Sequence, residues 1–409
     1  MDYRLIDNKV IYKNRNFLIF LLSQVISSFG DAFQLIAAVS LLRRITGSGL
    51  SAAFGLVCTP VLSILLSALA GYISDIKNEK ILLVMIDFLR GLTVVLFISR
   101  VNVVEIYVLV TVLSILDILY NPPRRKFLTR ILEKSQLIAA NSLLNGLSGG
   151  MFIIGPILAG FIIINFGTNT AFLVNGISFF ISTILISGIE FEKDRSGSLC
   201  KTKIPAGNSI GSLYRGIAYC INTYELRKII LIGTVICFCT TSVNIAFYPF
   251  AFDFLKITDN TWGLMMSIFY GASLIAMPIT LLVKIKAEIF YKIFIPFLLL
   301  IISAIWFSYG NTNGIIYIMC LQLLEGTIFT FINIILTSHL QTRSNKEYLG
   351  RVIGINDFTS NFGKIIGILC TYSLLTVTRP GNVFIFCSVV IAAYAFFTLV
   401  TVSRKRLRL

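Results

Sequence analysis

Histidine is almost missing from this 409-residue sequence: His339 is the sole example, and tryptophan occurs twice. Only 13% of residues are charged, with 19 acidic against 35 basic. A single histidine leaves little room for triad chemistry, and no HExxH or GxxxxGK[ST] text occurs. Zinc-peptidase, serine-hydrolase and P-loop nucleotide chemistry are thereby set aside, and an enzyme is not expected. The eight cysteines, at 58, 200, 220, 237, 239, 320, 370 and 387, form no CxxC pair and fall mostly inside apolar runs. Neither a metal site nor a disulfide framework is indicated, and they read as small packing residues. No metal and no organic cofactor is expected.

What the sequence has in abundance is apolar surface. It is 56% hydrophobic with a mean hydropathy of +0.86, too apolar for a chain that faces water on all sides. Apolar spans are read at 16–42, 50–73, 81–99, 103–121, 137–164, 168–189, 229–250, 262–283, 289–309, 314–338, 348–377 and 382–402. Roughly 20 residues at 1.5 Å each cross a hydrocarbon layer of about 30 Å, so the twelve spans predict an all-α polytopic membrane protein. The first span is too long for a signal-peptide core and is expected to be retained.

The net charge of +16 is distributed as topology requires rather than as a nucleic-acid surface. With the N-terminus in the cytoplasm, 28 basic residues fall in inner segments and five (Arg43, Arg44, Arg100, Lys256 and Arg379) in outer ones. The positive-inside rule then places both termini in the cytoplasm of a cell whose inner (plasma) membrane holds the chain. One long link divides the spans six and six. The expected domains are a half at 1–189, a linker at 190–228, a second half at 229–402 and a basic tail at 403–409. From Ser209 the linker carries apolar residues at helical intervals, which predicts an amphipathic helix on the inner surface. Two six-helix halves are the layout of transporters that rock about a central site.

Four stretches carry a family resemblance: ISSFGDAF in the first span, GYISDIKNEK after the second, IAANSLLNGLSGGMFIIGPILAG in the fifth and LGRVIGI entering the eleventh. Over nearly its whole length the chain resembles the major facilitator superfamily, and within it the bacterial branch of macrolide efflux proteins and enterobactin exporters. Gly71, Asp75 and Lys80 match the signature between spans 2 and 3, with Ile76, Asn78 and Glu79 in place of the usual Arg, Gly and Arg. That resemblance implies a gate in which Asp75 meets a helix N-terminus or a cation. Gly155, Pro156 and Gly160 resemble the antiporter signature of span 5, with Met151 and Ala159 departing from it. The signature implies export over import, while close helix packing alone also explains its small residues.

Charges inside the spans point to function. By helical rise, Asp31 lies roughly 22 Å from the inner end of span 1 and Glu325 roughly 16 Å from the outer end of span 10. The resemblance places spans 1, 4, 7 and 10 around the transport path, so Asp31, with Gln34 one turn on, and Glu325 are read as binding protons or a cationic substrate in alternation, with Asp117 a lesser candidate for a proton site. Each carboxylate can instead be a structural group hydrogen-bonded to a neighbouring helix. Asp87 and Arg90, one turn apart, are expected to pair within span 3 or at the inner gate. Asp117 is read as lying where Pro122 and Pro123 stop span 4, within reach of Arg124 or Arg125. Asp357 and Lys364 pair only through an intermediary, and His339 reads as a boundary residue. Phe33, Phe247, Tyr248, Phe329 and Phe331 form a candidate apolar wall for a bulky ligand.

The function implied is export of a drug-like or secondary-metabolite molecule driven by the proton gradient. A dedicated siderophore, peptide or lysolipid exporter of the same fold is the alternative, and a non-transporting membrane sensor is a further one. A small molecule and membrane lipid are the expected partners, nucleic acid is not, and a monomer is expected.

Overall fold

The computed structural model describes residues 14–99, 102–133, 136–190, 217–282, 294–345 and 348–406. These residues are helical nearly throughout. Twelve long helices follow in order: α1 (Arg15–Thr46), α2 (Phe54–Ile76), α3 (Glu79–Leu96), α4 (Val103–Ile131), α5 (Leu137–Phe166), α6 (Thr168–Ser187), α7 (Tyr224–Pro249), α8 (Asp259–Leu282), α9 (Ile295–Gly310), α10 (Ile315–Arg343), α11 (Leu349–Leu375) and α12 (Pro380–Arg406). Each corresponds to one of the twelve predicted spans. Of the linker predicted over 190–228, residues 191–216 lie outside the described residues, 217–222 are helical, and α7 begins at Tyr224.

Local sequence explains where the helices begin and end. Asn14, Asn78 and Asn102 each turn a side-chain oxygen onto a backbone N–H of the following turn, capping α1, α3 and α4. Gly47 closes α1 in the left-handed region at φ 68°, where a side chain would be strained. Beyond Pro249 the last turn of α7 widens into a π-helical stretch, Phe250–Phe254. Within the described residues seven helices, or eight counting the bent α2, are long and apolar enough to cross a membrane. Their outward faces carry bare apolar side chains, as in Leu65 at 68%, Ile184 at 69% and Ile316 at 79% exposure. Water would not tolerate that surface, whereas lipid covers it.

Two compact units divide the chain. The first comprises α1–α6 with residues 256–270, and the second comprises α7, the remainder of α8 and α9–α12. In the first, Phe17, Phe20, Leu83, Ile86, Phe127 and Leu128 bury the basic ends of α1, α3 and α4 against one another. In the second, α11 lies almost on the backbone of α7. A Cβ on Gly363 would come 2.6 Å from the Thr234 carbonyl, and one on Gly367 2.6 Å from that of Phe238. Small residues at such contacts let helices associate where lipid offers no hydrophobic drive.

Candidate functional site

The charged site is built in the first unit, where α1 and α4 run antiparallel. Asn14 donates to the Ile131 carbonyl at 2.9 Å, the Phe20 and Phe127 rings lie 5.0 Å apart, and Gln24 donates to Tyr120 Oη at 2.6 Å. Carried onward at 1.5 Å per residue, that register sets Asp31 roughly one turn beyond Asp117, toward the end of α4 that starts at Val103.

Arg90, 5% exposed, is the hub. Its guanidinium donates to Asp87 Oδ1 at 3.3 Å and to Asp117 Oδ1 at 2.6 Å, and it lies 4.2 Å from the centre of the Tyr120 ring. Asp87, fully buried, also accepts from Ser182 at 2.7 Å and from Tyr120 at 3.3 Å. Asp31 lies within electrostatic reach of Asp117, Arg90 and Asp87. Two carboxylates are therefore bonded to one guanidinium, with a third in electrostatic reach. One donor of that guanidinium, Nε, has no hydrogen-bond partner.

Of the two carboxylates bonded to Arg90, Asp117 is the open one, with 57% of its side chain exposed. It is the middle residue of α4, so either helix end is roughly 21 Å away. A carboxylate exposed at that depth cannot face hydrocarbon cheaply, so the surface it occupies is a wet one. Asn121, Arg125 and Thr129 follow at intervals of four and are also exposed. They form a polar stripe from the basic end of α4 up to Asp117. Beyond it the same face continues as Leu113 and Leu109, and the stripe stops.

This geometry corrects the reading of Asp117. Pro122 and Pro123 lie within α4, which continues to Ile131, so Asp117 is central and not terminal. Its partner is Arg90, and Arg124 and Arg125 are not bonded to it. The Asp87–Arg90 pair forms as the spacing suggested, but as part of a larger cluster. Tyr120, Gln24 and Ser182 gave no signal of their own beyond being polar within apolar spans.

The other candidates lie apart from this cluster. Gln34 accepts from Asn175 Nδ2 at 3.3 Å and so ties α1 to α6. Gly30 makes that approach possible, since a Cβ there would collide with Ser178 and Asn175. Glu325, in the second unit, is 7% exposed and accepts from Trp306 Nε1 and Tyr309 Oη, both at 2.7 Å. Phe247 packs edge-on to Tyr309 at 5.7 Å, and Phe329 lies 6.0 Å from Trp306. These two aromatics of the expected ligand wall thus surround the donors of Glu325. Phe33 packs on Phe29 at 4.8 Å.

The charged residues of the signature between spans 2 and 3 are engaged. Asp75 pairs with Lys126, and Lys80 donates to the Ile189 carbonyl at 2.7 Å. Glu79, which departs from the signature, meets Arg130 at 2.5 Å. Gly71 is open, and a Cβ there would touch nothing. In α5, a Cβ on Gly155 would come 2.5 Å from Ala32 of α1, and one on Gly160 3.1 Å from Asn260 at the start of α8. Gly263 of α8 returns the contact, since a Cβ on it would come 2.5 Å from the Pro156 carbonyl. A further ion pair went unread in the sequence. Asp259, the first residue of α8, accepts from Arg43 and Ser40 of α1, both at 2.6 Å, with Arg44 at 3.9 Å.

Comparison with known proteins agrees with this architecture. The MFS-type transporter YfiS of Bacillus subtilis (strain 168) is 22% identical over 398 residues, covering 96% of this chain and 94% of the other. Two solved structures share the fold. A bacterial homologue of the iron transporter ferroportin, in its inward-facing state, superposes with a TM-score of 0.72 at 15% identity, over 94% of this chain and 97% of that one. The nucleoside transporter NupG gives 0.67 at 12% identity, over 95% and 98%. Residues 20–368 match the Major Facilitator Superfamily as a family. With twelve long helices and a match running through eleven of them, the chain belongs to that superfamily of membrane transporters.

Proposed function

We propose that the chain is a proton-driven exporter of drug-like or secondary-metabolite molecules, of the macrolide-efflux and enterobactin-exporter type, working by alternating access. The observation that carries this reading is the polar stripe of α4 ending on Asp117, which Arg90 joins to Asp87, with Asp31 in electrostatic reach. With every group ionised the three Asp and Arg90 sum to two negative charges. That surplus invites a proton or a cation, and burying it otherwise is costly. Asp31 and Asp117 are the exchangeable carboxylates in this reading. Asp87, held by Ser182 and Tyr120, is the fixed one.

The topology belongs to the same proposal. The halves at 1–189 and 229–402 act as a pair joined by the 190–228 linker, in the plasma membrane, with both termini in the cytoplasm. The stripe on α4 then opens toward the cytoplasm, where substrate for export is collected.

The test is accumulation of a labelled macrolide and of a cationic dye in cells expressing the chain, with and without a protonophore. Expression should lower accumulation, and the protonophore, Asp31→Asn or Asp117→Asn should each abolish the effect. If neither compound's accumulation changes while the chain is present in the membrane, drug export is refuted. A dedicated siderophore, peptide or lysolipid would then be the substrate to try.

A further inference from the structure

Arg90 has a position that proton and substrate binding alone do not require. A buried guanidinium remains charged at any working pH and cannot be neutralised by releasing a proton. It pairs through one terminal nitrogen with fixed, buried Asp87 and through the other with exposed Asp117, which leaves Nε with no partner. Tyr120 covers its face, so a small rotation keeps the cation in contact with the ring. The titratable and charged groups around it are Asp31 of α1, Asp87 of its own helix, and Asp117, Tyr120 and Arg124 of α4. Arg124 adds like charge near Arg90 and so opposes its retention.

We propose that Arg90 is a built-in competitor for the site: it occupies Asp117 when no cation is bound, and an arriving organic monocation must displace it toward Asp31. The proposal rests on the transport reading above and makes Arg90 a specificity-determining residue. An internal cation beside the acceptor penalises weak or purely electrostatic ligands. A ligand succeeds if it adds apolar contact to its charge, as a lipophilic ammonium or phosphonium does. The same competition keeps binding loose enough for release, because Arg90 can return to Asp117 as the ligand leaves.

The decisive measurement is equilibrium binding of tetraphenylphosphonium to the purified full-length chain in nanodiscs, alongside transport of the same probe in liposomes. Removing the Asp87–Arg90 pair together, as Asp87→Asn with Arg90→Gln, deletes the competitor without stranding a buried charge. The expected outcome is binding at least tenfold tighter, with transport at saturating probe slowed at least tenfold. Adding Asp117→Asn to that double variant should cancel the gain in affinity. A merely structural role would weaken binding and transport together, and that result, or unchanged affinity, overturns the proposal.

Should the double variant fail to fold, the unaltered chain supplies the second measurement. Infrared difference spectra of protein carrying isotope-labelled arginine should show a guanidinium band shifting when tetraphenylphosphonium is added, and not when a neutral analogue of similar size is. No shift with the bound cation overturns the role of Arg90. Failure of the transport reading itself is separate, because the unaltered chain would then bind no tetraphenylphosphonium that Asp117→Asn removes.

Discussion

At the scale of single residues, Asp117 and Glu325 are two carboxylates put to different uses by their neighbours. Asp117 faces a charged partner on one side and an exposed polar stripe on the other. Glu325 meets two neutral donors, Trp306 and Tyr309, each fully buried. In Glu325→Gln the amide oxygen can still accept from Trp306, but the NH2 group faces Tyr309, whose hydroxyl must turn from donor to acceptor, and both bonds lose the carboxylate charge. The expected loss is about 1–3 kcal/mol, seen as a fall of several degrees in the unfolding temperature of the purified chain. Transport should persist in that variant. Lost proton coupling with unchanged unfolding temperature would instead put Glu325 on the proton's path. Asp31, Asp87 and Arg90 were legible from composition, because charge within an apolar span is rarely idle. The pairing of Asp87 with Arg90 followed from helical spacing alone. Asp117 was found but misplaced, since Pro122–Pro123 was read as a stop. In a membrane helix the freed backbone groups can be satisfied locally, and such prolines are tolerated within the span.

At the scale of elements, the start of α8 is fastened to α1 and α5 by two different means. One is steric: Gly155, Gly160 and Gly263 remove the side chains that would hold these backbones apart. The other is ionic: Asp259, with 7% of its side chain exposed, accepts from Ser40 and Arg43. Gly263→Ala should destabilise more than Gly160→Ala, because its Cβ would meet the Pro156 backbone at 2.5 Å against 3.1 Å to Asn260 Cα. Comparing the two variants' unfolding temperatures checks that order. For the ion pair, Asp259→Arg should lower the unfolding temperature, and adding Arg43→Asp should recover part of the loss. The coupling expected for such contacting residues is about 0.5–3 kcal/mol. No recovery would mean the pair contributes nothing measurable. The glycines of α5 stood out in the sequence, but their partner on α8 lies about a hundred residues onward. Spacing within one helix carries no information of that kind.

At the scale of the whole molecule, the long apolar runs made each helix legible, because lipid demands length and apolarity from every crossing segment. The ends were less so. Span 4 was read ten residues short and span 10 five, since hydropathy falls where charged residues begin. The helices continue past those charges, several of which are paired, as in Arg130 with Glu79, Lys126 with Asp75 and Arg343 with Glu225. The proposed topology has a direct check. A fluorescent protein that matures only in the cytoplasm should fluoresce when fused after Leu409, and alkaline phosphatase fused there should be inactive. The opposite pattern would invert the assigned orientation and the direction in which the α4 stripe opens.

The spacing of Asp117 and Asp31 has an electrical consequence. Roughly one helical turn, about 5 Å, separates their levels along a hydrocarbon layer of about 30 Å. A full charge crossing the layer exchanges about 2.3 kcal/mol per 100 mV, so a proton or guanidinium moving between the two levels senses roughly a sixth of that. In the proposed cycle membrane voltage would therefore bias which carboxylate is occupied by about 0.4 kcal/mol per 100 mV, a gentle tilt and not a switch. A cell that loses its pH gradient but keeps its voltage would still lean on the site, in a direction fixed by the orientation of α1.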